Sequence, residues 1–293
     1  METKDEELLL DGKTLRQLQL NELELVVEVD RICRKYGIQY SLDGGTLLGA
    51  IRHKGFIPWD DDADLIFTRH EYAKFYRACK KELQGSKFFL QEWRTDPYYR
   101  WGYAKLRNRS TEYIRAGQEH MKYQTGVCVD LFVVDHVPDS KILRGLFYYY
   151  NLGIRKILYS ELGMVQAKSI GLRRWYGLLY KIPRNLVFRA RNAVAGLVNL
   201  HSTELVSHLG YQYPKRCQYG MPATCFEDYI EIEFEGMKFM GFRQYDLYLR
   251  THYGDYMTLP PKEQQRGFNN ASTMVLSDIT LEAIQAQYAH NHG

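Results

Sequence analysis

Residues 42–67 read LDGGTLLGAIRHKGFIPWDDDADLIF, and no other stretch restricts so sharply what the chain can fold into. A diglycine turn leads into a short helix-like segment. A loop then carries aspartates 60, 61, 62 and 64 into the apolar run Leu65-Ile66-Phe67. If that run is a strand, residues two apart point to one face, so Asp62 and Asp64 aim together. Two carboxylates on one face repel unless a hard cation lies between them, and Mg²⁺ favours such oxygen ligands. The stretch therefore predicts a strand-borne site for a divalent metal and a phosphate.

The surrounding pattern is mixed α/β. Leu15, Leu18, Leu25, Val29, Ile32 and Tyr36 recur at helical steps, predicting an amphipathic helix over 14–36 that stops at Gly37. A short strand over 38–42 precedes the glycines, a helix runs from them to about residue 52, and 63–67 is the next strand. A helix over 69–84 and weaker strands over 87–92 and 102–107 follow. Residues 126–134, GVCVDLFVV, read as a strong strand rich in β-branched residues. Residues 229–234 and 237–242 alternate and pair as a hairpin across Glu235-Gly236, and 244–253 reads as a helix.

Several side chains join the site by their place in this order. Gly44, Gly45 and Thr46 open a helix after a strand, where bare N–H groups and the helix N-terminus hold phosphate. The acidic run is not a helix-loop-helix calcium loop, which needs glycine and glutamate at set positions. Asp60 and Asp61 are expected to cap or orient the turn. Asp130, flanked by Val129 and Leu131, is costly to bury unpaired, so it is paired, metal-bound or catalytic. As a third strand-borne carboxylate it would complete a triad with Asp62 and Asp64, whereas Asp135 looks like a turn residue before Pro138. Lys105, Arg107 and Arg52 are the cations best ordered to meet phosphate oxygens, although surface charge is the ordinary role of such residues. His53 fits an acid–base role or a structural one.

Net charge is +4, but it is unevenly spread. Residues 141–200 hold eleven Lys/Arg against Glu161 alone, a local charge of +10 that leaves −6 elsewhere. That block is helical by composition and rich in aromatics, including three tyrosines at 148–150, Trp175, Tyr176, Tyr180 and Phe188. It suits peripheral contact with an anionic membrane face, or else a helical subdomain with a solvated basic side. No window approaches 18 uninterrupted apolar residues, and the acidic N-terminus lacks the pattern of a secretory signal. Five cysteines without tight spacing are expected to be reduced thiols. Cys217 and Cys225 lack the partners of a zinc site. A cytoplasmic location, peripheral at the inner membrane face, follows as the expectation.

The string GGTLLGAIRHKGFIPWDDDADLIF resembles the signature of the LicD-type phosphotransferase family, to which the fukutin-related proteins also belong. The likeness continues in KLRNRST at 105–111, in Val129-Asp130-Leu131 and in YGDYMTLPP at 253–261, covering roughly 15–135 and 229–267. The resemblance implies a nucleotidyltransferase-like mixed sheet flanked by helices, an α/β (α+β) fold with a helical basic insertion. Residues 1–140 would be the catalytic core, 141–204 the basic aromatic segment and 205–293 a β–α portion completing the core. It further implies Gly44 and Gly45 as the glycine pair, Asp62 and Asp64 as the D-x-D pair, and Asp130 as the third acid. Arg266, in KEQQRGF at 262–268, is a further candidate phosphate contact.

By the same resemblance the chain would move phosphocholine from a CDP-linked donor to a cell-surface glycan such as teichoic acid, lipopolysaccharide or capsule. Mg²⁺, or Mn²⁺ in its place, would assist, and a lipid-linked acceptor would sit at the membrane. Transfer of ribitol or glycerol phosphate is the alternative, as is nucleotidyl transfer with release of pyrophosphate. A glycosyltransferase using the D-x-D pair and a non-catalytic envelope-assembly scaffold are the remaining rivals. No nucleic-acid partner is expected. If choline is the headgroup, an aromatic cage would suit its ammonium, and Trp93, Tyr99, Trp101 and Tyr103 lie close in sequence. With 24 tyrosines in the chain, ordinary packing accounts for most of them.

Overall fold

The computed structural model describes residues 11–211, 213–267 and 271–292. The acidic N-terminus read above for a signal, residues 1–10, and Phe268 of the KEQQRGF segment lie outside them.

Asp11 starts the first helix, α1 (Gly12–Tyr36), by accepting a 2.6 Å bond from the Thr14 amide, and Gly37 closes it in the left-handed conformation. After it come β1 (Ser41–Leu42), α2 (Gly44–His53), β2 (Asp64–Thr68), α3 (Arg69–Glu82), β3 (Phe88–Gln91), β4 (Ala104–Asn108), β5 (Glu112–Arg115) and β6 (Cys128–Val137). Four helices follow, α4 (Lys141–Leu158), α5 (Ser160–Gln166), α6 (Ile170–Tyr180) and α7 (Arg184–Val198). The chain then forms β7 (Leu205–His208), β8 (Met221–Pro222), β9 (Tyr229–Phe234), β10 (Met237–Phe242), α8 (Tyr245–Tyr253), β11 (Ala271–Val275) and α9 (Leu281–His292).

The main sheet is mixed, in the order β1-β2-β6-β4-β3. Strand β2 runs parallel to β6, while β4 is antiparallel to it. Strand β6 is long enough to serve two partners along one edge. Its first half pairs with β4 through Cys128–Leu131, and its second half pairs with β7 through Val134–Val137. The helices α4–α7 thus leave the sheet after β6 and return the chain to β6 through β7. The β9–β10 hairpin forms in the expected register around Glu235 and Gly236, both at positive φ as a tight hairpin turn requires.

Helix α1 departs from its expected one-sided burial. Leu18, Leu25, Val29 and Ile32 are fully buried as the periodicity requires, each contributing about 1.5–3 kcal/mol. Asn21, Glu22, Glu24, Glu28 and Asp30 are buried as well, because the sheet lies on one side of the helix and α3 and α9 on others. Most of these polar groups are satisfied: Glu24 by Lys87 at 2.7 Å, Asp30 by Tyr40 Oη at 2.7 Å, and Asn21 by the Ser277 backbone. Glu22 is the exception, with Oε2 buried and unpartnered. Strands β5, β7, β8 and β11 have no counterpart in the sequence pattern, being too short or too polar to alternate visibly. The cysteines among the described residues are all free thiols.

Candidate active site

Three neighbouring strands set the site. In the parallel ladder Asp64 lies opposite Asp130, and in the antiparallel ladder Asp130 lies opposite Lys105. Direct partners share a face, so Asp64, Asp130 and Lys105 form one row across β2, β6 and β4. Lys105 Nζ donates to Asp130 Oδ1. Burial works against the Lys105 charge, but Asp130, followed by Cys128 and Tyr103, holds its pKa above the ordinary lysine range.

The Gly44-Gly45 turn lies directly against this row. Asp43 precedes α2 in extended conformation, and Gly44 adopts φ +50°, which a side chain would resist. A Cβ on Gly44 would stand 3.4 Å from Asp64 Oδ2, and one on Gly45 only 2.6 Å from Asp60 Oδ2. The φ of Gly44 thus calls for glycine, a methyl on Gly45 would displace the Asp60 carboxylate, and the helix dipole there favours negative charge. Thr46 accepts a 2.8 Å bond from the Asp64 amide on Oγ1, so its hydroxyl positions the start of β2.

Ligand oxygens of Asp60, Asp61 and Asp62 all lie within 4.8 Å of one another, so the residues expected only to orient the turn converge with Asp62. Burial first, then Asp62 and Asp61, pushes the Asp60 carboxyl up to about 8. Asp64 is raised well above the carboxylate range by burial, then by Asp62, Asp130, Asp43 and Asp60. Two more acids join that the sequence pattern did not mark. Asp43 is pushed up to about 6 by burial, opposed by the Tyr248 hydroxyl that donates to Oδ1, and its Oδ2 is buried without a partner. Glu22 of α1 is raised by burial, then by Asp62, Cys128, Asp61 and Asp60. In sequence Glu22 is one of several acids on α1, and nothing local marks it out.

These carboxylates crowd at one place, and two of them, Asp43 and Glu22, keep a buried oxygen without a partner, so the place offers a set of hard oxygen donors. That composition fits Mg²⁺ or Mn²⁺ and argues against a thiolate- or imidazole-preferring ion.

On the same face as Lys105, a cavity of about 490 Å³ opens between β4, β5 and β6 and the helices α4 and α5. Its lining carries Lys105, Arg107, Arg115, Arg155 and Lys156 with no carboxylate, and aromatic walls that include Trp101 and Tyr103. Such a cleft suits phosphate oxygens. Arg107 is partly committed, its Nη1 donating to the Gly126 carbonyl at 2.6 Å and its Nε to Gln91.

The remaining candidates scatter. Arg52 donates to the Tyr256 carbonyl at 2.7 Å, tying α2 to the segment after α8. His53 stands edge-on to Trp59 at 6.2 Å, its pKa lowered by burial and then by Arg52. Arg266 is exposed, on a loop whose next residue approaches the acids closely enough that a Cβ on Gly267 would lie 2.5 Å from Asp61 Oδ2. The suggested aromatic cage is divided. Tyr99 is buried edge-on to Tyr123 and Trp93 stacks on Phe188, so only Trp101 and Tyr103 of the four reach the cavity.

Asp135 is not a turn residue but an inner residue of β6, fully buried. Burial works against its charge. Arg191 at 2.5 Å, Arg69 and Asn199 at 2.6 Å overcome that and hold its pKa at about 2. It fastens α7 to the sheet.

Comparison with known proteins gives a consistent result. The family described as "LicD/FKTN/FKRP, nucleotidyltransferase domain" matches residues 37–145. The lipopolysaccharide cholinephosphotransferase LicD of Haemophilus influenzae is 31% identical over 259 residues, 86% of this chain and 95% of that protein. An uncharacterized protein of Rickettsia prowazekii is 44% identical over 77 residues, 20% of this chain and 29% of its own length. The mixed sheet flanked by helices agrees with a LicD nucleotidyltransferase-like domain.

Proposed function

The chain belongs to the LicD family, and on that premise we propose that it transfers phosphocholine from a CDP-linked donor to a hydroxyl of a cell-surface glycan, lipopolysaccharide being the first candidate. The observation that carries the reading is the row of Asp64, Asp130 and Lys105 beside the Gly44-Gly45 turn, in a chain aligned over most of its length with a lipopolysaccharide cholinephosphotransferase.

In this reading the α2 N-terminus and the bare backbone of Gly44 and Gly45 receive the donor's phosphate oxygens. Asp62, Asp64 and Asp130, with Asp60 and Asp61 beside them, would hold Mg²⁺ or Mn²⁺, which supplies charge neutralisation on the diphosphate. Lys105 and the cations of the adjoining cleft stabilise the non-bridging oxygens as negative charge builds. The acceptor oxygen bonds to the phosphorus next to choline while the bond to the bridging oxygen breaks, and CMP leaves with that electron pair. Asp130, one oxygen held by Lys105, either serves as the third ligand or takes the acceptor's proton.

Incubating the protein with CDP-choline, CDP-ribitol or CDP-glycerol, Mg²⁺ and acceptor glycan, and quantifying CMP, tests the proposal. CMP release with CDP-choline that needs both acceptor and divalent ion is the expected result. Release of pyrophosphate from a nucleoside triphosphate, with no CMP from any of the three donors, would replace it with nucleotidyl transfer.

A further inference from the structure

The large apolar side chains that the fold leaves exposed are concentrated between Ile142 and Leu200. They are ordered by helix. On α4, Ile142, Leu146 and Tyr149 fall at steps of four and three, 62–76% exposed, while Phe147, Asn151, Ile154 and Leu158 turn inward. On α7, Leu186 and Leu197 lie on one outward stripe with Ala190 and Ala193 between them, and Leu200 is exposed just beyond its end. Helix α6 buries Tyr176 alone, against Gly163 of α5, and leaves Leu172, Trp175 and Leu178 in solvent. Helix α4 touches both α6 and α7, so the three helices that carry these stripes pack as one group. Isolated exposed apolar residues are ordinary, but three helices with unpartnered stripes are not.

Charge indicates the occupant. Of the eleven Lys/Arg at 141–200, Arg144 and Arg191 are buried and Arg155 and Lys156 line the cleft, while Arg173 and Arg174 are exposed on α6 and Lys168 and Lys181 at its ends. An apolar arc edged by arginines, with tryptophan and tyrosine among its members, is how a helix lies in the plane of a membrane interface. The aromatics Trp175, Tyr149 and Tyr180 have the apolar body and polar tip that sit at headgroup level. No helix among the described residues is long and apolar enough to cross a membrane. The opposite side of α4 contributes Arg155 to the wall of the cationic cleft.

We propose that α4, α6 and α7 form a docking face for an anionic lipid bilayer, with the apolar stripes at the acyl boundary and the arginines and lysines among the headgroups. The face is separate from the donor site, and it holds whichever headgroup the enzyme transfers. A glycan carried on a lipid would meet the cleft there, one helix away from the bilayer.

Sedimentation of the full chain with vesicles of phosphatidylethanolamine containing about one third phosphatidylglycerol, against pure phosphatidylcholine, tests it. Binding to the anionic vesicles that weakens with added salt is expected. Leu172→Glu with Trp175→Glu should reduce binding at least about ten-fold, and Arg174→Ala or Lys181→Ala about five-fold each. Circular dichroism should be unchanged in all of these variants, since each changed residue is exposed. CMP release with a soluble acceptor should stay at the wild-type rate in the double variant, which separates docking from the transferase reading. Equal binding to both vesicle types, no binding, or undiminished binding of the double variant would overturn the proposal. So would a dimer that the double variant converts to monomer, since a second copy would then cover the face.

Discussion

Asp130 and Asp135 stand five residues apart on β6, which places them on opposite faces of the sheet, and their surroundings are opposite too. Asp135 is sealed from solvent and meets two arginines and an asparagine. Asp130 is partly open, meets one lysine, and looks across the ladder at another carboxylate, Asp64. The first arrangement balances its charge within the protein and fastens helix to strand. The second sets several carboxylates beside a helix N-terminus with Lys105 as the cation that Asp130 meets. The difference marks Asp135 as a structural acid and leaves Asp130, with the half-buried Asp64 opposite, as the candidate functional one.

Breaking the functional side should give the largest effect. Asp64→Asn is expected to reduce CMP release by about 1,000-fold or more, with unfolding in metal-free buffer unchanged or shifted to higher denaturant. A destabilised but active Asp64→Asn protein would erase the contrast.

Breaking the structural side should do the reverse. Asp135→Ala leaves Arg191 and Arg69 facing each other without an anion and should cost about 3–5 kcal/mol in urea unfolding. Activity per folded molecule should hold. A large loss of turnover at unchanged stability would move Asp135 to the functional group.

Gly45→Ala sharpens the functional side. The added methyl would press on Asp60 Oδ2 at 2.6 Å, so the rate should fall roughly 10- to 100-fold with little change in stability. Parent-like turnover would mean that Asp60 moves aside freely and does not define the site.

The smallest effect concerns His208 of β7, next to the Asp135 half of β6. Burial, and then His252, Arg155 and Arg191, lowers its pKa to about 3, and neither ring nitrogen has a partner. The folded state therefore refuses a proton that the unfolded chain accepts below about 6.5. Stability from this group is full above that value and declines as pH falls toward 3, by at most about 1.4 kcal/mol per pH unit. Urea midpoints at pH 7 and pH 5 should differ in the parent and converge in His208→Gln. An unchanged slope would show that other groups govern acid sensitivity.

Much of this was legible in the sequence, for a physical reason. The glycine turn, helix α2 and strand β2 lie within one stretch of 26 residues, where strand alternation and the needs of a tight turn act locally. The β9–β10 hairpin was readable on the same ground. Local pattern could not say which distant residues would complete the acid cluster. Glu22 enters it because α1 is enclosed by sheet and helices, and in sequence it is one acid among several on a helix, whereas Asp43 joins from the residue just before the glycine turn. Nor could it assign Asp135, whose charge is balanced by Arg69 and by Arg191 across more than fifty residues of chain. The pairing of β11 with β5 and the apolar face of α4, α6 and α7 likewise arise from contacts between segments far apart in the chain. The sequence by itself determined the local frame of the candidate site, because the glycine turn, α2 and β2 follow one another along the chain. Tertiary packing decided which charges are balanced, because that depends on which side chains the fold brings within a few ångströms.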